Sequence, residues 1–143
     1  MLRLLRILLI EDNSSDVRLF QEALKESGLA CDLRVFCEGK KALEFAFGEG
    51  QWAGEDRPHI VILDLNLPGM EGAEILQRLK SDERTRATPV IVFSSSVTAA
   101  EINRCYDLHA NCYIPKPWDL NTTFHIIKSL ETFWGSVAKL PST

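Results

Sequence analysis

Five short apolar stretches recur along the chain, and after each of them the apolar residues change to helical spacing. Most of the stretches are continuously apolar rather than alternating, which is typical of parallel strands covered on both faces. Strict alternation of such strands with helices predicts an α/β fold in which right-handed crossovers place helices on both sides of one sheet. The stretches are RILLI, CDLRVFCEG, IVILD, PVIVFSS and NCYI, which begin at residues 6, 31, 60, 89 and 111.

The segments after the strands carry the signals of helix starts and ends. In the first of them, Val17, Phe20 and Leu24 fall on one helical face, between a Ser or Asn cap and Gly28. Five strands and five helices predict a flavodoxin-like (βα)5 three-layer sandwich, with a parallel five-stranded sheet in the order 2-1-3-4-5. The helices are predicted to begin near residues 13, 40, 72, 98 and 120. A turn-rich loop at 49–58 is somewhat long for this fold.

The length of the chain, 143 residues, is that of about one domain. We find no internal repeat and no low-complexity tract in the sequence. We therefore expect a single domain over residues 1–143, with a core at about 6–133 and a C-terminal extension at 134–143.

Charge and hydropathy exclude several classes of protein. The net charge is −4 and the pI is about 5.4, and the 16 basic residues are scattered, so nucleic acid is not an expected partner. No apolar run approaches the ~20 residues of a membrane-spanning helix, and no membrane association is expected. Arg3 and Arg6 interrupt the N-terminal apolar stretch, and an acidic pair stands where a signal peptide would need small residues. We expect a cytoplasmic protein.

The four cysteines are consistent with a reducing compartment. Cys31, Cys37, Cys105 and Cys112 form no C-x-x-C pair and have no partner histidines at zinc-site spacing. We expect free thiols that pack as small hydrophobic residues.

Polar residues stand at the carboxyl ends of the predicted strands. Glu11 and Asp12 follow the first strand, and Asp64 ends the third. Ser94 follows the apolar part of the fourth strand, and the fifth strand leads into Lys116. In an open parallel sheet, ligands bind at the carboxyl ends, beside the point where the strand order reverses. We therefore expect three carboxylates, a hydroxyl group and an ammonium group to meet in one pocket.

This set of groups has a specific chemistry. Carboxylates brought close together repel one another unless a cation intervenes, and oxygen ligands favour a hard cation, Mg²⁺ first and Mn²⁺ as the alternative. Lys116 suits a phosphate oxygen as a point charge, and the hydroxyl of Ser94 can donate to another. A carboxylate such as Asp64 can also be a nucleophile that accepts a phosphoryl group as an acyl phosphate, aided by charge neutralisation.

Four dispersed motifs carry a resemblance to a known family. They are ILLIEDN, IVILDLNLPGMEG, PVIVFSSS and CYIPKPWD, which begin at residues 7, 60, 89 and 112. In this order and spacing they resemble the receiver domain of two-component response regulators, over residues 6–133. The resemblance implies a phosphoacceptor at Asp64, a Mg²⁺ site that includes Glu11 and Asp12, and a sensor histidine kinase as the phosphodonor. It implies no enzyme beyond self-catalysed phosphotransfer and slow autodephosphorylation.

The same resemblance assigns the remaining positions. Asn66 would offer its backbone carbonyl to the metal, and Lys116 would contact the phosphoryl group. Ser94 matches the hydroxyl residue that turns toward the phosphoryl group, and Tyr113 matches the aromatic switch that changes rotamer with it. The two would shift the face made by the fourth helix, the fifth strand and the fifth helix. The Lys116–Pro117 bond is implied to be cis, a state essentially reserved for bonds that precede proline.

Pro115 departs from the common receiver-domain pattern, and Ser96 leaves one property of the phosphorylated form undetermined by the sequence. Pro115 precedes Lys116, so the sequence P-K-P stiffens this loop and puts the reach of the lysine in doubt. Ser96 stands where the family controls the access of hydrolytic water. A short polar residue there does not fix the lifetime of the phosphate.

The C-terminal part narrows the subfamily. YDLHANCY and ETFWGSVAKLP, which begin at residues 106 and 131, resemble the single-domain regulators of bacterial and cyanobacterial phytochromes. That resemblance implies a light-regulated kinase as partner and a homodimer through the last helices and strand. Trp134, Val137 and Leu140 lie beyond the helix needed to cover the sheet, and they either cap the domain or cover a partner subunit.

Two other functions fit parts of the pattern. A phosphatase of the haloacid-dehalogenase type also uses a strand-end Asp nucleophile and Mg²⁺, but it requires a second Asp where this chain has Asn66, and the chain has no room for a cap domain. A degenerate receiver would serve only as an interaction scaffold, and the intact Asp64 and Lys116 disfavour it. Turnover of phosphomonoesters would support the phosphatase, and failure to bind Mg²⁺ would support the scaffold.

Overall fold

The computed structural model describes residues 4–116 and 119–141, and strands and helices alternate along this part of the chain. The strands are β1 Leu5–Ile10, β2 Cys31–Phe36, β3 Ile60–Asp64, β4 Val90–Ser94 and β5 Cys112–Pro115. The α-helices are α1 Ser14–Ser27, α2 Gly39–Phe47, α3 Gly72–Ser81, α4 Ala99–Asp107 and α5 Leu120–Thr132. A 3₁₀ helix, Gly50–Trp52, follows α2, and a π-helical turn, Phe133–Val137, follows α5. None of these helices has the length and apolar character needed to cross a bilayer.

The strand order is β2-β1-β3-β4-β5 with all neighbours parallel, which confirms the predicted topology. In the register of the sheet, Ile62 of β3 lies opposite Leu9 of β1 and Ile91 of β4. Successive side chains of a strand point to opposite faces, so each central strand contributes apolar residues to two cores. This explains why these strands are continuously apolar in the sequence.

Two hydrophobic cores lie on the two faces of the sheet, which confirms the three-layer prediction. The first core joins the sheet to α2, α3 and the C-terminal end of α4, and its fully buried members include Leu8, Ile10, Ala42, Leu63, Ile75, Leu76, Leu79 and Val92. The second core joins the sheet to α1 and α5, and its members include Leu9, Phe20, Ala23, Leu24, Ile62 and Ile127. Burial of each large side chain contributes about 1.5–3 kcal/mol, so the two cores fix where the strand ends lie.

Helix α1 begins and ends as its sequence predicts. The side chain of Asn13 caps the helix by accepting a hydrogen bond from the backbone amide of Asp16, at 3.0 Å. Gly28 ends the helix in the left-handed conformation, where the absence of a Cβ removes the steric cost. The cap places the first turn of α1 directly after the acidic residues that follow β1.

The junction between β3 and α3 requires a glycine at residue 72. A Cβ atom at Gly72 would lie 2.4 Å from the Cα atom of Leu65, a distance that the backbone cannot accept. The amide of Gly72 also donates a hydrogen bond to the carbonyl oxygen of Leu65, at 3.2 Å. This close approach folds the start of α3 back onto the segment that follows Asp64.

The loop at 49–58 is ordered by aromatic packing that the sequence pattern did not predict. Trp52, in the 3₁₀ helix, makes edge contacts with Phe36 and Phe45, at centroid distances of 5.5 and 5.3 Å. Phe36 and Phe45 also stack on one another, at 5.2 Å. The loop therefore closes the edge of the first core beside β2.

The cysteines are free thiols, as predicted. Cys105 is buried in the first core, and Cys37 is exposed at the end of β2. Burial raises the pKa of the thiols of Cys31, Cys105 and Cys112 above the ordinary value, so these three are held in the neutral form.

The segment after α5 divides into packed and exposed residues. Trp134 and Leu140 pack against the second core, so they cap the domain to which they belong. Phe133 and Val137 have 50% and 67% of their surface exposed. The apolar surface that this segment leaves uncovered is therefore formed by Phe133 and Val137 rather than by Trp134.

Candidate functional site

The carboxyl ends of β1, β3, β4 and β5 meet on one edge of the sheet and bring the predicted groups together. Glu11 follows β1, Asp64 ends β3, and Lys116 follows β5. The side chains of Glu11 and Asp64 are almost completely buried, with 4% and 2% of their surface exposed. A charged group so far from water requires close partners, and each of these carboxylates has Lys116 as one.

Three carboxylates form a cluster that can hold a cation. Glu11, Asp12 and Asp64 each place an oxygen atom so that the three atoms lie within 4.8 Å of one another. Asp12 is exposed while the other two are buried, so the cluster is open to solvent on one side. An all-oxygen donor set with an open side fits Mg²⁺, which prefers carboxylate oxygens and retains several waters. Mn²⁺ accepts the same ligands.

Lys116 supplies the positive charge on the inner side of the cluster. Its Nζ atom lies 2.8 Å from Oε1 of Glu11 and 3.4 Å from Oδ2 of Asp64. A third carboxylate, Asp16, lies on the same Nζ atom at 2.8 Å. Burial opposes the charge, but the hydrogen bonds that Lys116 donates to Asp16 and Glu11, together with the negative charges of Glu11 and Asp64, outweigh it, and the pKa of Lys116 is raised. The lysine is thus a permanent cation.

The surroundings of Glu11 disfavour the ionised form of its carboxyl group. Burial, first of all, and the adjacent carboxylate of Asp64 raise the pKa of Glu11 to about 7, against the opposing effect of Lys116. One ammonium group is therefore not enough to keep both buried carboxylates ionised near neutral pH. A divalent cation would remove this conflict.

Backbone amides fix the two buried carboxylates in place. The amide of Asn66 donates to Oδ1 of Asp64 at 3.1 Å, and the amide of Asn13 donates to Oε2 of Glu11 at 3.3 Å. Asn66 itself is exposed beside the cluster. The predicted contact of its carbonyl with a metal stays a prediction.

Ser94 and Tyr113 are connected through the backbone of Ser96. Oγ of Ser94, which is fully buried, accepts a hydrogen bond from the amide of Ser96 at 3.1 Å. The hydroxyl of Tyr113, which is half-buried, donates to the carbonyl oxygen of Ser96 at 2.6 Å. The two residues predicted to switch together are therefore linked by one peptide segment, although they do not contact each other directly in these bonds.

The loop that carries Lys116 is anchored to β4. The amide of Lys116 donates to the carbonyl oxygen of Ser94 at 2.8 Å. Pro115 ends β5 and does not prevent the lysine from reaching Glu11. The sequence P-K-P therefore leaves the side chain of Lys116 able to reach the acidic cluster. The predicted cis bond between Lys116 and Pro117 lies outside the described residues.

Asp16 belongs to the site, because it contacts Lys116, but it was not among the site residues predicted from the sequence. It stands in the first turn of α1, where an acidic residue is common because it favours the positive end of the helix dipole. That ordinary explanation gives no indication that Asp16 also contacts Lys116. The available signal was its position in the first helical turn, four residues after Asp12, which keeps it close to the edge of the sheet where β1 ends.

Comparison with known proteins agrees with the geometry. The model of the response regulator receiver domain family matches residues 7–128. Response regulator Rcp1 of Synechocystis is 35% identical over 136 residues, which cover 95% of this chain and 92% of Rcp1. The crystal structure of the phosphorylated cyanobacterial phytochrome response regulator RcpA is similar, with 42% identity, a TM-score of 0.91, and coverage of 98% of this chain and 100% of RcpA. The crystal structure of the Mn²⁺-bound form of Rcp1 is also similar, with 35% identity and a TM-score of 0.86. The match covers 96% of this chain and 99% of the Rcp1 chain.

The raised pKa of Glu11 predicts how the affinity for Mg²⁺ changes with pH. Proton and metal compete for the same carboxylate, so the affinity should fall as pH decreases from 8 to 6, approaching about tenfold per pH unit below the pKa of the metal-free group. Isothermal titration calorimetry in buffers of different ionisation enthalpy would measure both the affinity and the protons released.

The matched control for this measurement is Glu11→Gln. This variant should bind Mg²⁺ more weakly at every pH and should lose most of the pH dependence and most of the proton release. A dissociation constant that is equal at pH 6 and pH 8 in the wild type would contradict the assignment.

Proposed function

The chain belongs to the response regulator receiver domain family, and from this premise we propose that it accepts a phosphoryl group on Asp64 from a sensor histidine kinase. The observation that carries the proposal is the placement of Asp64, which is buried between a cluster of acidic oxygen atoms and the ammonium group of Lys116. Such a carboxylate has a cation site on one side and a fixed positive charge on the other. Both are needed where a phosphoryl group is transferred.

In the proposed reaction, an oxygen of Asp64 attacks the phosphorus atom of a phosphohistidine. The new O–P bond forms an acyl phosphate, the N–P bond breaks, and the imidazole of the kinase leaves with the electron pair and takes up a proton. Bound Mg²⁺ would be held by Glu11, Asp12 and Asp64, and it would neutralise negative charge on the transferring group. Lys116 would contact a phosphoryl oxygen from the inner side.

Ser94 and Tyr113 would report the phosphoryl group to the surface. A serine hydroxyl that accepts a hydrogen bond can still donate its own hydrogen, so Ser94 can turn toward a phosphoryl oxygen. The turn would release the amide of Ser96, and Ser96 also holds the hydroxyl of Tyr113. The face made by α4, β5 and α5 would shift as a result, by no more than the difference in the phosphate's interaction with the two states.

Hydrolysis is proposed to be a slow side reaction rather than an enzymatic activity. The polar side chain of Ser96 would set the access of water to the acyl phosphate. A phosphatase of the haloacid-dehalogenase type is not favoured, because the second acidic residue it needs is replaced by Asn66 and because the chain matches the receiver family over most of its length. A scaffold without chemistry is disfavoured by the complete set of acidic oxygens and Lys116.

The proposed kinase is a phytochrome. The support is that RcpA is a cyanobacterial phytochrome response regulator and is similar to nearly the whole of this chain. Signalling would then depend on light absorbed by the kinase and on contacts between proteins. The negative net charge and the scattered basic residues support a protein that does not bind nucleic acid. The four free cysteines support a cytoplasmic location.

A homodimer through the last helices and strand is also proposed. The exposed apolar side chains of Phe133 and Val137, just after α5, support this face. The single domain, with residues 134–143 as its extension, would use that extension as part of the contact.

The dimer predicts a specific change in sedimentation. Wild-type protein should sediment as a dimer at micromolar concentration, and Val137→Asp should sediment as a monomer because it places a charge in the apolar contact. Analytical ultracentrifugation with and without phosphorylation measures both states and shows whether the proposed switch alters the contact. Leu4→Asp is the matched control, since Leu4 is 52% exposed but precedes β1. A monomer at all concentrations in the wild type, in both states, would exclude the dimer.

Phosphorylation predicts one labelled residue. With Mg²⁺ and a small phosphodonor, the wild type should form a single base-labile phosphate, and Asp64→Asn should form none while remaining folded. Asp56→Asn, which removes an exposed carboxylate outside the acidic cluster, should be labelled as the wild type is. Intact-mass spectrometry gives the stoichiometry, and the decay of the label after removal of the donor gives the rate of autodephosphorylation.

The same labelling assay tests whether the phosphodonor is a phytochrome kinase. A phosphorylated phytochrome kinase should transfer its label to the wild type faster than an unrelated histidine kinase does. Full labelling of Asp64→Asn would overturn the phosphoacceptor assignment, and equal transfer from both kinases would overturn the phytochrome link.

A further inference from the structure

Three carboxylates share the ammonium group of Lys116, and they differ in what else they can bind. Asp16 accepts a hydrogen bond from Nζ at 2.8 Å, whereas Asp64 lies farther from the same atom, at 3.4 Å. Glu11 lies at 2.8 Å. An ammonium group has three N–H donors, and three carboxylate oxygen atoms lie within 3.4 Å of this one.

A cation bound to the acidic cluster would leave the contact between Asp16 and Lys116 in place. The oxygen atoms that can share one ion belong to Glu11, Asp12 and Asp64, and Asp16 is not among them. A cation bound to that cluster would draw Glu11 and Asp64 away from the lysine by competing for their oxygen atoms. Asp16 would then remain as the carboxylate that still holds Nζ.

The contact between Asp16 and Lys116 is sheltered from water. The side chain of Lys116 is 10% exposed and that of Asp16 is 21% exposed. A cavity of about 30 Å³ borders both of them and is lined on its other sides by Phe20, Phe93 and Thr123. Screening by solvent is weak in such surroundings, so this ion pair is stronger than one at the surface.

The geometry points to Asp16 as a positioning residue that competes with the phosphoryl group for Lys116. Before phosphorylation it would hold the ammonium group on the α1 side of the site. After phosphorylation the lysine would have to loosen this bond in order to contact a phosphoryl oxygen. Asp16 would thereby weaken the phosphorylated state relative to the free state. This inference rests on the proposed function, because it needs Asp64 to carry the phosphoryl group.

Beryllofluoride, a phosphoryl analogue that binds a receptive aspartate, gives a direct test at saturating Mg²⁺. Asp16→Asn keeps the shape of the side chain and removes its charge. It should bind beryllofluoride roughly tenfold more tightly than the wild type, because a charge-assisted hydrogen bond no longer competes for Lys116. Glu22→Gln removes one exposed negative charge from the same helix without a contact to Lys116, and it should bind as the wild type does.

A double-mutant cycle separates positioning from a general effect of charge. If Asp16 acts through Lys116, then Asp16→Asn should change the affinity little in a Lys116→Met background. Isothermal titration calorimetry gives the four affinities, and the urea midpoint of each variant shows that it is folded.

The possible outcomes are distinct. No binding of beryllofluoride by the folded wild type would overturn the proposed function itself. Normal binding by the wild type with an unchanged affinity in Asp16→Asn would overturn only the role of Asp16. An equal gain in the presence and absence of Lys116 would also overturn it, since the effect would then not pass through the lysine.

Discussion

Repulsion between buried carboxylates is the constraint on which the rest of the site depends. Glu11 and Asp64 are both nearly inaccessible to water, and the ammonium group of Lys116 contacts both of them. The raised pKa of Glu11 shows that this neutralisation is incomplete. A site with an excess of buried negative charge and one open side favours a divalent cation and then an anionic group brought in beside it. The chemistry of phosphoryl transfer follows from that imbalance.

The packing of the sheet and helices offsets the repulsion between these carboxylates. Two apolar cores hold the strands parallel, so that groups separated by about a hundred residues in the sequence meet at one edge. The close contact at Gly72 and the amides of Asn13 and Asn66 then fix the carboxylates individually. Ser94, Tyr113 and Lys116, the groups proposed to move, are held through side-chain atoms instead, by contacts with Ser96 and with Asp16.

Much of this arrangement could be predicted from the sequence because strand ends are easy to find. A continuous apolar run followed by an acidic or basic residue places Glu11, Asp64 and Lys116 at the same edge once the strands are parallel. Asp16 could not be identified in the same way, since an acidic residue in a first helical turn has an ordinary explanation. The packing of Trp52 on Phe36 and Phe45 was not predicted either. It joins a loop to residues distant in sequence, and no periodic pattern records such a contact.

The most direct test of the central claim is the free energy of unfolding measured against Mg²⁺ concentration at pH 8 and constant ionic strength. If the cation relieves the repulsion between Glu11 and Asp64, stability should rise by about 1.4 kcal/mol for each tenfold increase in Mg²⁺ above its dissociation constant. Without Mg²⁺, Asp64→Asn should be more stable than the wild type, because one buried charge is gone. Stability that is independent of Mg²⁺, together with a loss of stability in Asp64→Asn, would contradict the account.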